Sequence, residues 1–296
     1  MATATGRLVR HPTGRVVLVV LGVLGLLCAL APVLAPGGPE AGSLSETLRR
    51  PDARHWLGTD ELGRDVLARL LWGGRVSLSV ALLVTLVAPA VGTAYGLVAA
   101  AAPSWAGELS MRAVDGLLGV PRLPLYLVLL TLIGPGYWSV VVIMAAFEWP
   151  AFARLAYIAA LGALREPYVE AARAQGADAP RVLHAHVWPG VAGPLLVAAA
   201  VGVRARVVAE TSLSYLGFGI VPPTPSWGNM LASAQSRIWD YPALAIYPGV
   251  AILLVSVAAT LLGDALRDAL DPTTAISRAR DSERNARADR ADRLAA

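Results

Sequence analysis

Five stretches of this chain, 16–35, 76–107, 123–147, 187–203 and 241–263, run without a single Asp, Glu, Lys or Arg. This constrains the fold more than any motif does, because an uncharged apolar run must be kept from water along its whole length. A helix rises 1.5 Å per residue and crosses a hydrocarbon layer in about 20 residues. On that scale the chain contains six spans, near 16–35, 76–101, 113–133, 137–160, 187–209 and 241–263. The third and fourth meet at Gly134-Pro135-Gly136, a sequence that ends a helix and permits a tight hairpin. Composition agrees, since 56% of the 296 residues are hydrophobic and 16% charged, too apolar for an ordinary soluble chain. The expected fold is an all-α polytopic membrane protein with six transmembrane helices.

Arg7, Arg10 and Arg15 precede the first run, as they would in a secretory signal. The run is longer than a usual signal core, and Pro36-Gly37-Gly38-Pro39 offers no clear cleavage site, so a retained signal-anchor helix is expected. That puts the amino terminus inside and, after six crossings, the carboxyl terminus inside as well: a multi-pass protein of the cell membrane with both termini cytoplasmic. All 25 basic residues are Arg, and more of them fall on segments assigned inside than outside. The basic charge therefore follows topology, and no basic patch interleaved with aromatics points to nucleic acid. Without Lys there is no G-x-x-x-x-G-K-[ST] phosphate loop, so any ATP used must bind another subunit. The one cysteine, Cys28, cannot form an internal disulfide.

Between the fourth and fifth spans lies a polar island, Glu170 to Pro189. Glu170 to Ala174 favours helix, Gly176 interrupts it, and Asp178 can cap a second short helix that Pro180 would begin. Helix, break, helix across a membrane face suits insertion into a groove on a soluble partner. A solvated loop with some helix content fits the same pattern.

Here the residues carry a resemblance. Glu170-Ala171-Ala172, then Gly176, then Pro189 resembles the EAA loop of ABC importer permeases. His55-Trp56-Leu57-Gly58-Thr59-Asp60-Glu61-Leu62-Gly63-Arg64-Asp65, Met111-Arg112 with Asp115 and Pro121, Trp149-Pro150 with Ala153-Arg154, Glu210 with Leu213 to Gly219, Pro222 to Leu231, and Gly263-Asp264 with Leu266 to Pro272 resemble the second permease of the dipeptide/oligopeptide/nickel branch. The likeness spans roughly 10–272.

It implies a type I ABC importer permease core with a cytosolic coupling helix, and a chain divided into 1–35, an extracytoplasmic 36–75, a core 76–272 containing a coupling loop 164–188, and a charged tail 273–296. Glu170, Ala171, Ala172, Arg173, Gly176 and Pro189 would seat on a cytosolic ATPase. Implied partners are a paralogous permease, two ATPase subunits or domains, an extracytoplasmic solute-binding protein and membrane lipid. The chain itself would bind no cofactor and catalyse no covalent step, with ATP and Mg held by the ATPases. Peptides lead as cargo, with nickel chelates or other small solutes as the alternative. Three positions depart from the family pattern: Trp188 for an aliphatic residue, Arg122 for a small one, and Tyr157 for Arg.

The acids of 59–65 are interspersed with Arg and lack His or Cys at ligand spacing, which favours an ion-paired amphipathic segment over a metal site. His184 and His186, two apart, cannot act as an i, i+4 ligand pair. Pro222-Pro223-Thr224-Pro225 favours an extended connector. Gly92 and Gly96 have the spacing for close helix approach, read as contact with another permease, and Arg112, Asp115 and Arg154 need polar partners or a watery surface. In the fifth span, Arg204, Arg206 and Glu210 mark a candidate pathway or gate, with Arg206 and Glu210 expected to pair at i, i+4; snorkelling of these charges to the outer interface is the alternative. A membrane enzyme using Glu148, His184, His186 or Glu210 lacks a metalloprotease or nucleophile-elbow motif, and a secondary transporter lacks evident matching broken helices.

Overall fold

A computed structural model describes residues 12–270; Arg7, Arg10 and the tail at 273–296 fall outside that range. The described chain is helical, with two isolated bridges, Gly42 to Arg64 and Thr59 to Asp65, as its extended pairing. Its main helices are α1 (Pro12–Ala29), α2 (Val66–Ala101), α3 (Ser104–Leu118), α4 (Arg122–Ile133), α5 (Tyr137–Leu164), α6 (Pro167–Ala174), α7 (Trp188–Tyr215), α8 (Trp227–Ala234) and α9 (Ala243–Leu270). Four helical stretches are long and apolar enough to cross a membrane: α2, α5, α7 with its lead-in from Ala179, and α9. The pair α3 and α4 qualifies together as a fifth, and α1 is a shorter apolar helix. The six predicted segments are therefore all helical.

Three boundaries differ from expectation. The third span is not one helix: α3 and α4 meet at a bend of 81°, because Pro121 has no N–H for a continuing helix and becomes the N-cap of α4. The second helix begins ten residues before 76, since Asp65 caps it by accepting from the Ala68 N–H at 2.7 Å. The fifth runs from Ala179, absorbing the second short helix of the polar island.

Helix directions follow from paired contacts. The Tyr137 hydroxyl donates to that of Ser79 at 2.9 Å, and farther along, Gly92 faces Phe152 and Gly96 faces Ala156, so α2 and α5 run parallel. In contrast, Thr85 is tied to Arg206 while Leu97 shares a groove with Trp188, making α7 antiparallel to α2. Gly263 against Val201 and Gly193 against Leu270 make α9 antiparallel to α7. Segment 165–187 consequently sits at one end of the bundle. Segments 35–65 and 216–242 sit at the other. The core between them centres on Val80, Val84, Tyr126, Leu130, Val140, Met144 and Leu213.

Gly92 and Gly96 do permit a close helix approach, but the helix they admit is α5 of the same chain. An added Cβ at Gly92 would lie 2.7 Å from the Phe152 Cβ and 2.9 Å from the Ala153 nitrogen. Arg154, likewise, meets Asp115 at 3.5 Å within the chain. Gly92→Leu is expected to destabilise the fold by about 1–3 kcal/mol through overpacking. A thermal scan in detergent should show its melting temperature well below that of Gly116→Leu, whose Cβ would meet nothing within 4 Å. Equal melting of the two would refute this packing.

Candidate functional site

Two regions concentrate polar residues: segment 165–187 at one end of the bundle, and a buried group inside it. In the first, α6 begins with Pro167 in its first turn, carries Glu170 near its start and Arg173 near its end, and so matches the helix dipole at both termini. It stops because Gly176 takes φ +87°, with its N–H donating to the Arg173 carbonyl at 2.9 Å and the Ala177 N–H to the Ala172 carbonyl at 3.0 Å. This pair of bonds is a Schellman cap, which needs the left-handed conformation that glycine adopts freely. Asp178 then caps the next turn, accepting from the Arg181 N–H at 3.0 Å.

The next turn widens. Val182–Val187 is a π turn in which the Trp188 N–H reaches back to the Leu183 carbonyl. Pro189 follows in the first turn of α7 and has no N–H to offer the Ala185 carbonyl, so an ordinary α register cannot be completed there. The segment is anchored from below by Val169, Val182 and Val187, all fully buried in the main core. Across it the Tyr168 hydroxyl donates to the His186 carbonyl at 3.4 Å, joining α6 to the π turn. Glu170, Ala171, Arg173, Gly176 and Pro189 are exposed and Ala172 is half-buried. All of the predicted contact residues except Ala172 are thus exposed, and α6 rests on an apolar footing. His184 is exposed as well.

The second region corrects the sequence reading. Arg206 does not pair with Glu210; its Nε donates to Glu148 of α5 at 2.6 Å. Its Nη1 donates to the Thr85 hydroxyl of α2 at 3.1 Å and to the Ala199 carbonyl at 3.3 Å, and the guanidinium lies 5.4 Å from the Phe152 ring centre. The reason is geometric. Helical side chains lean toward the N-terminus, so Arg206 covers the turn holding Gly202 and Ala199 and moves away from Glu210. Gly202 leaves space for it, an added Cβ there falling 2.6 Å from Nη1. Arg204, two positions away, is exposed, as its opposite direction on the helix requires.

Glu210 serves a different group. Fully buried, it accepts from the Ser214 hydroxyl at 2.7 Å, and that hydroxyl in turn accepts from the Ile220 N–H at 2.9 Å. Ser77 of α2 lies beside the same carboxylate and accepts from the Trp227 N–H at 3.3 Å. The connector is further held by Asn229, whose Nδ2 donates to the Ile220 and Thr224 carbonyls at 3.2 and 2.7 Å, and by a reciprocal cap between Ser226 and Asn229. Trp227 docks on α2, its indole donating to the Leu70 carbonyl at 3.0 Å. The predicted extended connector instead turns at Pro222 to Thr224 and is held between α7 and α8 by these hydrogen bonds.

At the same end, Arg64 donates to Asp60 at 2.8 Å and to Glu40 at 3.2 Å, and Arg69 approaches Asp60 at 3.4 Å. Asp60 and Arg64 are consumed in this staple, while Asp65 caps α2. His55 does not stand alone, since its Nδ1 sits 2.8 Å from Asp65 and its Nε2 is 3.6 Å from Glu46. Asp52 accepts the backbone N–H groups of Arg54 and His55 at 2.8 Å each, which holds its carboxyl below the usual range.

Sequence reasoning missed the Glu148–Arg206 pair. The available signal was that each is an ionisable residue inside an apolar span, and such groups require a partner at matching depth.

Comparison with known proteins adds independent findings. The family described as "Binding-protein-dependent transport system inner membrane component" matches residues 92–276. The chain is similar to a glutathione transport system permease protein of Pectobacterium atrosepticum, 40% identical over 75% of this chain and 74% of the relative. It is also similar to a di/tripeptide transport system permease protein of Pseudomonas aeruginosa, 40% identical over 84% and 85% of the two chains. A dipeptide transport system permease protein of Alkalihalophilus pseudofirmus is 32% identical over 86% and 84%.

Proposed function

We infer a transport role from one premise: this chain belongs to the family of binding-protein-dependent transport system inner membrane components. It is a membrane permease subunit of an ABC importer of the peptide branch, a transport subunit with no covalent chemistry of its own. The observation that carries the mechanism is the exposed 170–176 surface rooted in the buried Val169, Val182 and Val187. A partner pressing on that surface pushes on the core and, through the π turn, on α7.

In this reading segment 165–187 is cytoplasmic and seats on an ATPase subunit that holds ATP and Mg. Both termini are cytoplasmic, and the end with the bonded connector and the ion-paired staple faces an extracytoplasmic solute-binding protein. A paralogous permease completes the path, along which short peptides pass. ATPase closure would move α6 and rock the bundle between inward-open and outward-open states. Within this division the coupling segment lies between the end of α5 at Leu164 and the start of α7 at Trp188.

The assignment can be tested by cross-linking. Cys28 is buried, so a single introduced thiol can be addressed selectively. In the assembled transporter, Ala171→Cys is expected to cross-link to an ATPase subunit, and Leu44→Cys, at the opposite end and 77% exposed, is expected not to. Cross-linking of both to the ATPase, or of neither, would remove the coupling assignment.

A further inference from the structure

A groove of about 440 Å³ runs between α2 and α7, lined by Thr85, Pro89 and Thr93 on one side and Trp188, Leu195 and Ala199 on the other. We propose that it is this subunit's subsite for an apolar side chain of the peptide cargo, an inference that rests on the peptide-transport reading above. Its volume lies within the range of small-molecule pockets, and such pockets combine apolar walls with a few polar groups that fix orientation. From residue 85 to residue 97 the groove extends roughly 18 Å along α2. One end opens beside Trp188, next to the coupling segment. The other reaches Thr85 and Ala199, both held by the Arg206 Nη1.

Two features distinguish this groove from a simple lipid-facing crevice. Thr93 lines it while only 8% exposed, and its hydroxyl has no hydrogen-bond partner among the described residues. That hydroxyl is not among the fully buried unpaired atoms and so opens onto the groove; facing an acyl chain it would stay unpaired at a cost, whereas a peptide carbonyl or amide would satisfy it. In addition, Thr85 and Ala199 at that end are bonded to Arg206 of the Arg206–Glu148 pair, and ionisable groups in spans face a bundle interior or an aqueous cavity. The same helix carries the coupling segment at its start and one wall of the groove beyond it. Movement of the coupling segment would therefore widen or narrow the subsite.

The test uses the complete transporter in proteoliposomes with its binding protein, comparing uptake of Gly-Gly and Leu-Leu. Ala192→Trp fills the groove. It is expected to lower Leu-Leu uptake at least 10-fold while Gly-Gly uptake stays within twofold and ATPase stimulation persists. Thr93→Val, equal in shape but without the hydroxyl, should raise the KM for Leu-Leu about fivefold, the effect of one hydrogen bond. Unchanged transport of both dipeptides by Ala192→Trp, or an equal loss of both, would overturn the proposal. A phospholipid co-purifying with the wild type and lost from Ala192→Trp, with uptake unchanged, would overturn it in favour of a lipid site. Should Ala192→Trp not assemble, a dipeptide carrying photoleucine decides on the wild type: Leu-Leu-competed labelling of α2 or α7 supports the subsite, and labelling elsewhere alone refutes it. Wild-type transporter that carries neither dipeptide would instead remove the peptide reading on which the subsite depends.

Discussion

Glu148→Gln and Arg206→Gln are each expected to lower peptide uptake by more than 10-fold and to destabilise the protein by about 3–5 kcal/mol, the cost of leaving one buried charge unpaired. The two side chains are 9% and 2% exposed and 2.6 Å apart, so neither can recover hydration once the other is neutral. Arg206 also ties α7 to the Thr85 hydroxyl of α2. Its loss therefore loosens a junction of three helices, α2, α5 and α7. The double variant Glu148→Gln/Arg206→Gln should regain much of the lost stability, because two neutral amides can satisfy each other where an isolated ion cannot. Thermal unfolding in detergent and uptake in proteoliposomes supply the two readouts. A cycle of Glu210→Gln with Arg206→Gln should give the smaller coupling energy. Were Glu210 the more strongly coupled partner, the assignment of Glu148 would be wrong.

Replacing Gly176 has the next largest expected effect, and for a different reason. An added Cβ there would meet nothing within 4 Å, so the chain's own packing tolerates a side chain. What it resists is the backbone: at φ +87° an ordinary L residue costs about 1–2 kcal/mol, and a β-branched one is least suited. Gly176→Val should unwind the Schellman cap, shift the exposed 170–176 surface, and lower uptake more than 10-fold while membrane insertion is retained. Gly176→Asn is the discriminating control, since Asn enters the left-handed region most readily among the other residues. It should keep most of the uptake. ATPase stimulation measured on both variants tests the link: full coupling in the Val variant, or equal failure of Val and Asn, would show that the cap conformation is not what matters.

The two sites were not equally legible in the chain. Everything needed to outline α6 and its cap is local: Pro167 to open the helix, Gly176 to close it, Asp178 and Pro180 to restart it. Local rules of propensity and capping act over a few residues, so the sequence carries them directly. The Gly134-Pro135-Gly136 hairpin was legible for the same reason, with α4 ending at Ile133 and α5 starting at Tyr137. The bend between α3 and α4 was missed although Pro121 was visible, because the apolar run continues across it and hydropathy does not report direction.

Partner choice was the less legible part. Arg206 has an acid four residues away on its own helix, and spacing alone favours that neighbour. In the folded chain α5 brings Glu148 against it across 58 residues, and the N-terminal lean of the side chain selects the distant partner. Gly92 and Gly96 show the same limit, for small residues announce that a helix will come close without saying which one. The sequence by itself determined that this chain is a bundle of apolar helices with a capped polar segment between the fourth and fifth spans, because burial and capping depend on composition and short-range spacing. Only the tertiary structure decided which helix faces which, where the buried charges pair, and that a groove with an unpaired Thr93 opens between α2 and α7, because these depend on the relative rotation of helices far apart in the chain.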